Sequence, residues 1–250
     1  MASDRGFWIS WYDLPKEQTN KYIEWLHGSY IPKVLKRPGL LWAAHYKTLL
    51  TDPRGHMHRT KDPTVPNGSD YILIFGAQDT AAFTKGREHF LEGKTSKLDA
   101  DLTAEDKAML ALRQGQRQCV MTDEMRVYGP KGKPPGDFMA PGGCVQLGSF
   151  NCLPEHEEQL LSWYADYRLP AVSGEPDFIG ARKFLCTTGW VKHVIMYEFP
   201  SREGRQRVQA EVDRKYPDGG DWTHSFIAKA LVHAPRSPVL AERIWPPVKG

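Results

Sequence analysis

Two distant stretches of this chain carry the same punctuation. In WLHGSYIPKVLKRPG, Trp25 is followed seven residues on by Pro32, and Pro32 six on by Pro38. In WYADYRLPAVSGEP the same intervals separate Trp163, Pro170 and Pro176. A Leu-Pro pair leads into each: Leu14 stands eleven residues before Trp25, and Leu153 ten before Trp163. One such spacing arises readily by chance. Two, each with its own lead-in, point to an internal duplication, and 250 residues leave room for two units of ordinary size.

The pattern of elements predicts the same division. Gly6–Asp13 (GFWISWYD) is aromatic and β-branched, a strand. Pro15 opens a helix whose Tyr22, Ile23, Trp25 and Leu26 form an apolar stripe, with Gly28 and Pro32 ending or loosening it. Residues 40–50 read as a strand, 51–69 as a long exposed loop, and 70–77 (DYILIFGA) as a buried central strand. Residues 81–93 look helical, Thr103 caps a further helix, and 117–128 closes the half as a strand. The Pro/Gly-rich run 129–143 reads as the linker. The order then recurs: strand 145–151, helix 153–167 with Leu160, Leu161 and Tyr164 on one face, strands 178–187 and 192–199, helix 202–215, and 223–233 as the last strand.

Residues 1–130 and 144–250, joined by 131–143, are thus each expected to form β-α-β-β-α-β, the ferredoxin-like unit. Helices on one face of each sheet leave an opposite face to be buried, so two antiparallel sheets face to face satisfy both, an α+β pseudo-dimer within one chain.

Composition excludes several classes. Apolar residues at 40% and charged residues at 25% describe a folded globular chain. A net charge of +3 without a basic block gives no footprint for nucleic acid. There is no apolar run of membrane-spanning length, and MASDRGFW resembles neither a signal nor a transit peptide, so a cytoplasmic protein is expected. Cys119, Cys144, Cys152 and Cys186 form no CxxC pair. Eight tryptophans and ten tyrosines favour a pocket for a flat, partly apolar small molecule.

At residue level the second stretch, with Trp163-Tyr164, Leu169-Pro170, Pro176, Phe178, Ala181-Arg182 and Phe184, resembles the EthD-like branch of the dimeric α+β barrel superfamily. The first matches through Trp25, Ile31-Pro32, Pro38-Gly39, Ala43-Ala44 and Tyr46. The histidine this family often carries two residues before the proline is replaced by Tyr30 and Arg168, and the strand arginine is kept as Arg182 but is Ala44 in the first half. The resemblance implies a site between sheet and helices. It leaves the reaction open, since the superfamily spans cyclases, isomerases, cofactor-free monooxygenases, haem-handling enzymes and proteins without known activity.

The candidate catalytic residues are therefore His45, Tyr30, Arg168 and His27. His45 lies mid-strand beside two alanines, placed to act as a general base. Tyr30 and Arg168 suit an enolate or carboxylate oxygen, and His27 shares a helical face with Tyr30. Expected substrate contacts are Trp8, Ser10, Tyr12, Trp42, Asn151, Arg182 and His193, with Leu147, Ser149 and Asn151 matched to the strand-1 face and Trp11 and Phe150 turned into the sheet interface. His56 and His58 lack a third ligand nearby, so no metal is expected. The leading expectation is a cofactor-independent lyase, decarboxylase, cyclase or isomerase acting on an aromatic or polyketide-like substrate, as a monomeric pseudo-dimer or homodimer. The alternatives are a haem protein, with His45, His193 or His224 as axial ligand, and a non-catalytic small-ligand binder.

Overall fold

The computed structural model describes residues 4–51, 57–83, 102–132, 140–215 and 221–248. Its strands are β1 (Gly6–Asp13), β2 (Leu40–Thr51), β3 (Tyr71–Ala77), β4 (Gln114–Tyr128), β5 (Cys144–Cys152), β6 (Gly180–Thr188), β7 (His193–Phe199), β8 (Leu231–His233) and β9 (Val239–Trp245). They are antiparallel throughout and run β7-β6-β4-β1-β3-β2-β9-β5, and a β5–β7 pairing closes the ring. The result is a closed eight-stranded barrel with β8 attached outside it to β5. Strands of the first half stand in the order β4-β1-β3-β2 and those of the second in the order β9-β5-β7-β6. The β4·β6 and β2·β9 seams join the two.

Period-two alternation sorts the side chains. Phe7, Ile9 and Trp11 point into the barrel with Ile72, Ile74, Met121, Leu147, Phe184, Val194 and Met196, a core drawn from both halves. Trp8, Tyr12, Tyr71, Leu73 and Phe75 point outward under the first-half helices, and Phe150, Ile195 and Tyr197 under those of the second. β3 and β7 are covered on both faces, so every residue in them is buried, as their continuous apolar runs suggest.

The proline-marked helices do not end at their prolines. α1 (Thr19–Trp25) passes through a wide π turn, Leu26–Tyr30, into α2 (Ile31–Leu35). Pro32 has no N–H to offer the Gly28 carbonyl and its ring crowds that oxygen, so the turn expands and Ile31 N–H bonds Leu26 O instead. The second half repeats this: α4 (Glu157–Ser162), the wide turn Trp163–Arg168 and α5 (Leu169–Ser173), with Leu169 N–H on Tyr164 O ahead of Pro170. α3 (Ala104–Leu110) has the expected cap: Thr103 Oγ1 accepts Asp106 N–H at 3.1 Å, and Asp106 Oδ2 accepts Thr103 N–H at 2.9 Å. α6 (Arg202–Lys215) also lies where the pattern put it.

Two expectations need correction, one strand was missed, and one expected helix falls mostly outside the described residues. Residues 223–233 are not one strand: α7 (Asp221–Ala230) occupies most of them, with Phe226, Ile227 and Ala230 buried at helical spacing, and only β8 is extended. The strand that completes the barrel is β9, masked in sequence by Pro235, Pro238, Pro246 and Pro247 around it. Leu161 is exposed, not part of the helix's buried face. Of the helix expected over 81–93, a short turn at Thr80–Phe83 is described and residues 84–93 lie outside the described residues, as does His56.

Candidate functional site

On the outer face of the first half, β1, β2 and β3 place Tyr12, His45 and Tyr71 side by side. His45 lies 6.1 Å from the Tyr12 ring and 5.5 Å from the Tyr71 ring, near-parallel to both. His45 is fully buried. Its Nε2 meets Tyr12 Oη at 3.0 Å and its Nδ1 meets His27 Nε2 at 2.8 Å. His27 comes from the wide turn and is half-buried, its ring 6.0 Å from Trp245. Trp245 lies on β9 and pairs with His45 across the seam, so the second half helps enclose a first-half cluster.

At the other end stands Arg113, in the connection from α3 to β4, which sequence reading missed. Its Nε donates to Tyr22 Oη at 2.6 Å and its guanidinium lies 4.4 Å over the Tyr12 ring. Its Nη2 is buried without a hydrogen-bond partner. Burial, followed by the charges of His27 and Arg113, holds His45 well below the ordinary histidine range. Burial lowers His27 as well. Burial and the neighbouring Tyr22 push the Tyr12 phenol well above its ordinary value. The cluster is therefore neutral at pH 7 apart from Arg113.

Tyr30 belongs to the same layer, packed on Trp25 at 5.1 Å and edge-on to Phe75. Trp8 and Ser10 also face it, but Trp8 Nε1 donates to Ser10 Oγ at 3.1 Å, so they satisfy one another. Arg168 is not part of this group. It lies under the helices of the second half, donating to Tyr197 Oη at 3.2 Å. Lys183 and His193 hold the places there that His45 and Tyr71 hold in the first half, as the strand registers show. Lys183 is fully buried, paired with Glu124 and 3.2 Å from His193 Nδ1, and His193 Nε2 bonds Glu157 at 3.0 Å.

Three further expected contacts face elsewhere. Trp42 and Arg182 point into the barrel, where Trp42 Nε1 donates to Asp4 at 2.9 Å and Arg182 bridges Asp4 and Glu198 at 2.7 Å each. Asn151 braces a turn through Trp190 O and Lys192 N–H. The match of Leu147, Ser149 and Asn151 to the strand-1 face was one residue out of register. Tyr12 faces Tyr71 as Phe150 faces His193, so Phe150 is Tyr12's counterpart and lies under the helices, whereas Leu147 faces the interior. A single-residue slip exchanges the two faces of a strand. Trp11 does lie inside the barrel. Among the described residues, no group of three or more His, Cys, Asp or Glu is arranged to hold a metal ion, and no helix is long and apolar enough to cross a membrane.

No family profile and no curated protein matches the sequence. Solved structures do match in fold. An anthrone oxidase-like protein superposes with a TM-score of 0.60 at 10% identity, over 96% of this chain and 92% of its own. A proposed monooxygenase from Fusobacterium nucleatum gives 0.55 at 10% identity, over 98% and 96%. A proposed chlorite dismutase gives 0.53 at 11% identity, over 97% and 95%. These neighbours are members of the dimeric α+β barrel superfamily, and the chain shares their fold.

Proposed function

We propose that this chain is an enzyme that moves protons on a small aromatic or polyketide-like substrate without a bound cofactor. One observation carries the reading: His27, His45 and Tyr12 form a continuous hydrogen-bonded run whose middle member is fully buried and neutral. With His27 Nε2–H donating to His45 Nδ1, and His45 Nε2–H to Tyr12 Oη, the Nδ1 lone pair of His27 is left at the half-buried end as the base. His27 takes the substrate proton there and can pass its Nε2 proton to His45. At the opposite end, Arg113 Nη2 offers a buried, uncommitted donor to a carboxylate or enolate oxygen, the role first expected of Arg168. Lyase, decarboxylase, cyclase and isomerase chemistry all begin with such a transfer.

The name of the anthrone oxidase-like neighbour makes fused-ring phenolic ketones the first compounds to try. In D2O, wild-type protein is expected to speed exchange of the acidic C–H of such compounds and of β-keto acids, read by mass spectrometry. His27→Gln, His45→Gln and Tyr12→Phe are each expected to slow exchange at least tenfold while the fold persists, roughly 1.4 kcal/mol or more of barrier. Full exchange in all three variants would falsify the assignment. Substrate binding without exchange would favour a non-catalytic binder.

Haem binding is the second reading, and the donor set does not fit it. Both ring nitrogens of His45 and of His193 are engaged by side chains, and the His224 side chain lies outside the described residues. No step is derived through haem; a sharp, shifted Soret band on adding haem would reverse this view. We also propose that the halves are tandem ferredoxin-like repeats, supported by their matching strand orders and paired wide turns.

A further inference from the structure

Arg117, on β4, stands across from Trp11 of β1 and shares its inward face, its guanidinium 4.8 Å over the indole. It is 6% exposed. Its Nη1 donates to Pro235 O at 3.0 Å, but its Nε and Nη2 are buried with no hydrogen-bond partner. Those two atoms make up the side-on edge of a guanidinium, the edge that takes a carboxylate or phosphate through two parallel bonds. Buried polar groups are nearly always hydrogen-bonded, and a buried charge costs more than a buried amide when left alone, so an open edge of this kind calls for an explanation.

Among the described residues, no carboxylate bonds this edge. Asp13 is already taken: its Oδ1 accepts from the Ser69 and Asp70 amides, and Arg236 covers both its oxygens at 3.2 Å. Burial, aided by the charge of Arg236, outweighs the opposing influence of Cys119 and Asp13 and pulls Arg117 down to about 10. Other positive charge gathers on the same loop. Arg59 Nε donates to Ser237 O at 2.8 Å, so Arg117 and Arg59 hold the carbonyls of residues 235 and 237, and Arg236 sits between them at φ 59°. Ser237 Oγ in turn accepts the Ser149 amide at 2.8 Å, fixing the loop to β5.

We propose that this end of the barrel interior binds a small oxyanion, a carboxylate or phosphate, on the Nε–Nη2 edge of Arg117. The site lies on the opposite face of β1 from Tyr12 and is independent of the proton relay. It also gives the inward-facing cation a role that a purely structural account of the barrel lacks.

The test is titration of the whole chain with sodium acetate and with sodium phosphate, against sodium chloride at matched ionic strength. Calorimetry and the Arg117 Nε–H resonance are the readouts. Saturable binding of either oxyanion is expected, with a shift of that resonance, and the stronger of the two identifies the class. Arg117→Lys, which keeps the charge but loses the fork, is expected to weaken binding at least tenfold, and Arg117→Met to abolish it. No saturable binding of either anion up to about 50 mM overturns the proposal, as does unchanged affinity in Arg117→Lys. Should neither variant fold, the wild-type resonance decides: no movement with either oxyanion overturns the site.

Discussion

His45 shows how burial, reinforced by neighbouring charge, can set the chemical state of a side chain. Its folded pKa lies below the unfolded value of about 6.5, so the unfolded chain binds more protons at acidic pH. Stability is therefore complete above about pH 6.5 and declines as the pH falls below it. His193, lowered by burial and by Lys183 despite Glu157, adds in the same direction. Each fully depressed histidine contributes a slope of up to about 1.4 kcal/mol per pH unit. Denaturant midpoints between pH 7 and 5 should fall accordingly, and His45→Gln should remove one histidine's share of the slope. The base itself, His27, is also lowered by burial, so the acid limb of a pH–rate profile is expected below the ordinary histidine range. The placement of His45, Tyr30 and His27 in one layer was legible, because strand and helix periodicity puts them there. Arg113 was not, because a lone arginine between a helix and a strand carries no pattern. Arg168 was joined to the wrong group, because sequence gives the ends of each half but not which half a pocket uses.

At the scale of elements, the prolines are informative. Pro32 was read as ending or loosening its helix, and the structure shows the second: this helix and its counterpart at Pro170 both continue by widening one turn. The widened turn carries His27 to His45. Pro32→Ala restores an N–H for the Gly28 carbonyl and should let the turn wind back to α geometry, moving His27 off His45 Nδ1. We expect at least a tenfold loss of exchange activity with little change in melting temperature, and loss of the His27–His45 coupling in NMR spectra. Pro170→Ala, the counterpart under the second half, should leave that activity intact. β9 escaped detection for a related reason: flanking prolines look like loop, although VLAERIW alternates as a barrel strand should.

For the molecule as a whole, the α+β barrel was legible, but the strands that meet at its seams were not, since pairing between halves depends on edges that no local pattern marks. One barrel end is held by charge rather than apolar packing. Arg182 bridges Asp4 and Glu198, and Arg126 also grips Asp4, whose pKa stays low because these arginines outweigh its burial. Arg182→Met leaves Glu198 without its arginine and Asp4 with Arg126 alone, and we expect about 3–5 kcal/mol of lost stability by chemical denaturation. The ring also imposes an order on how the chain is made. β9, the last of the described strands in chain order, seats against β2, the second, and against β5. Without it the barrel stays open between β2 and β5, and its core lacks Val239 and Ala241. A chain stopped after Arg236 should therefore pellet on centrifugation where the full chain stays in solution, which makes the final strand the step that commits the molecule to its native state.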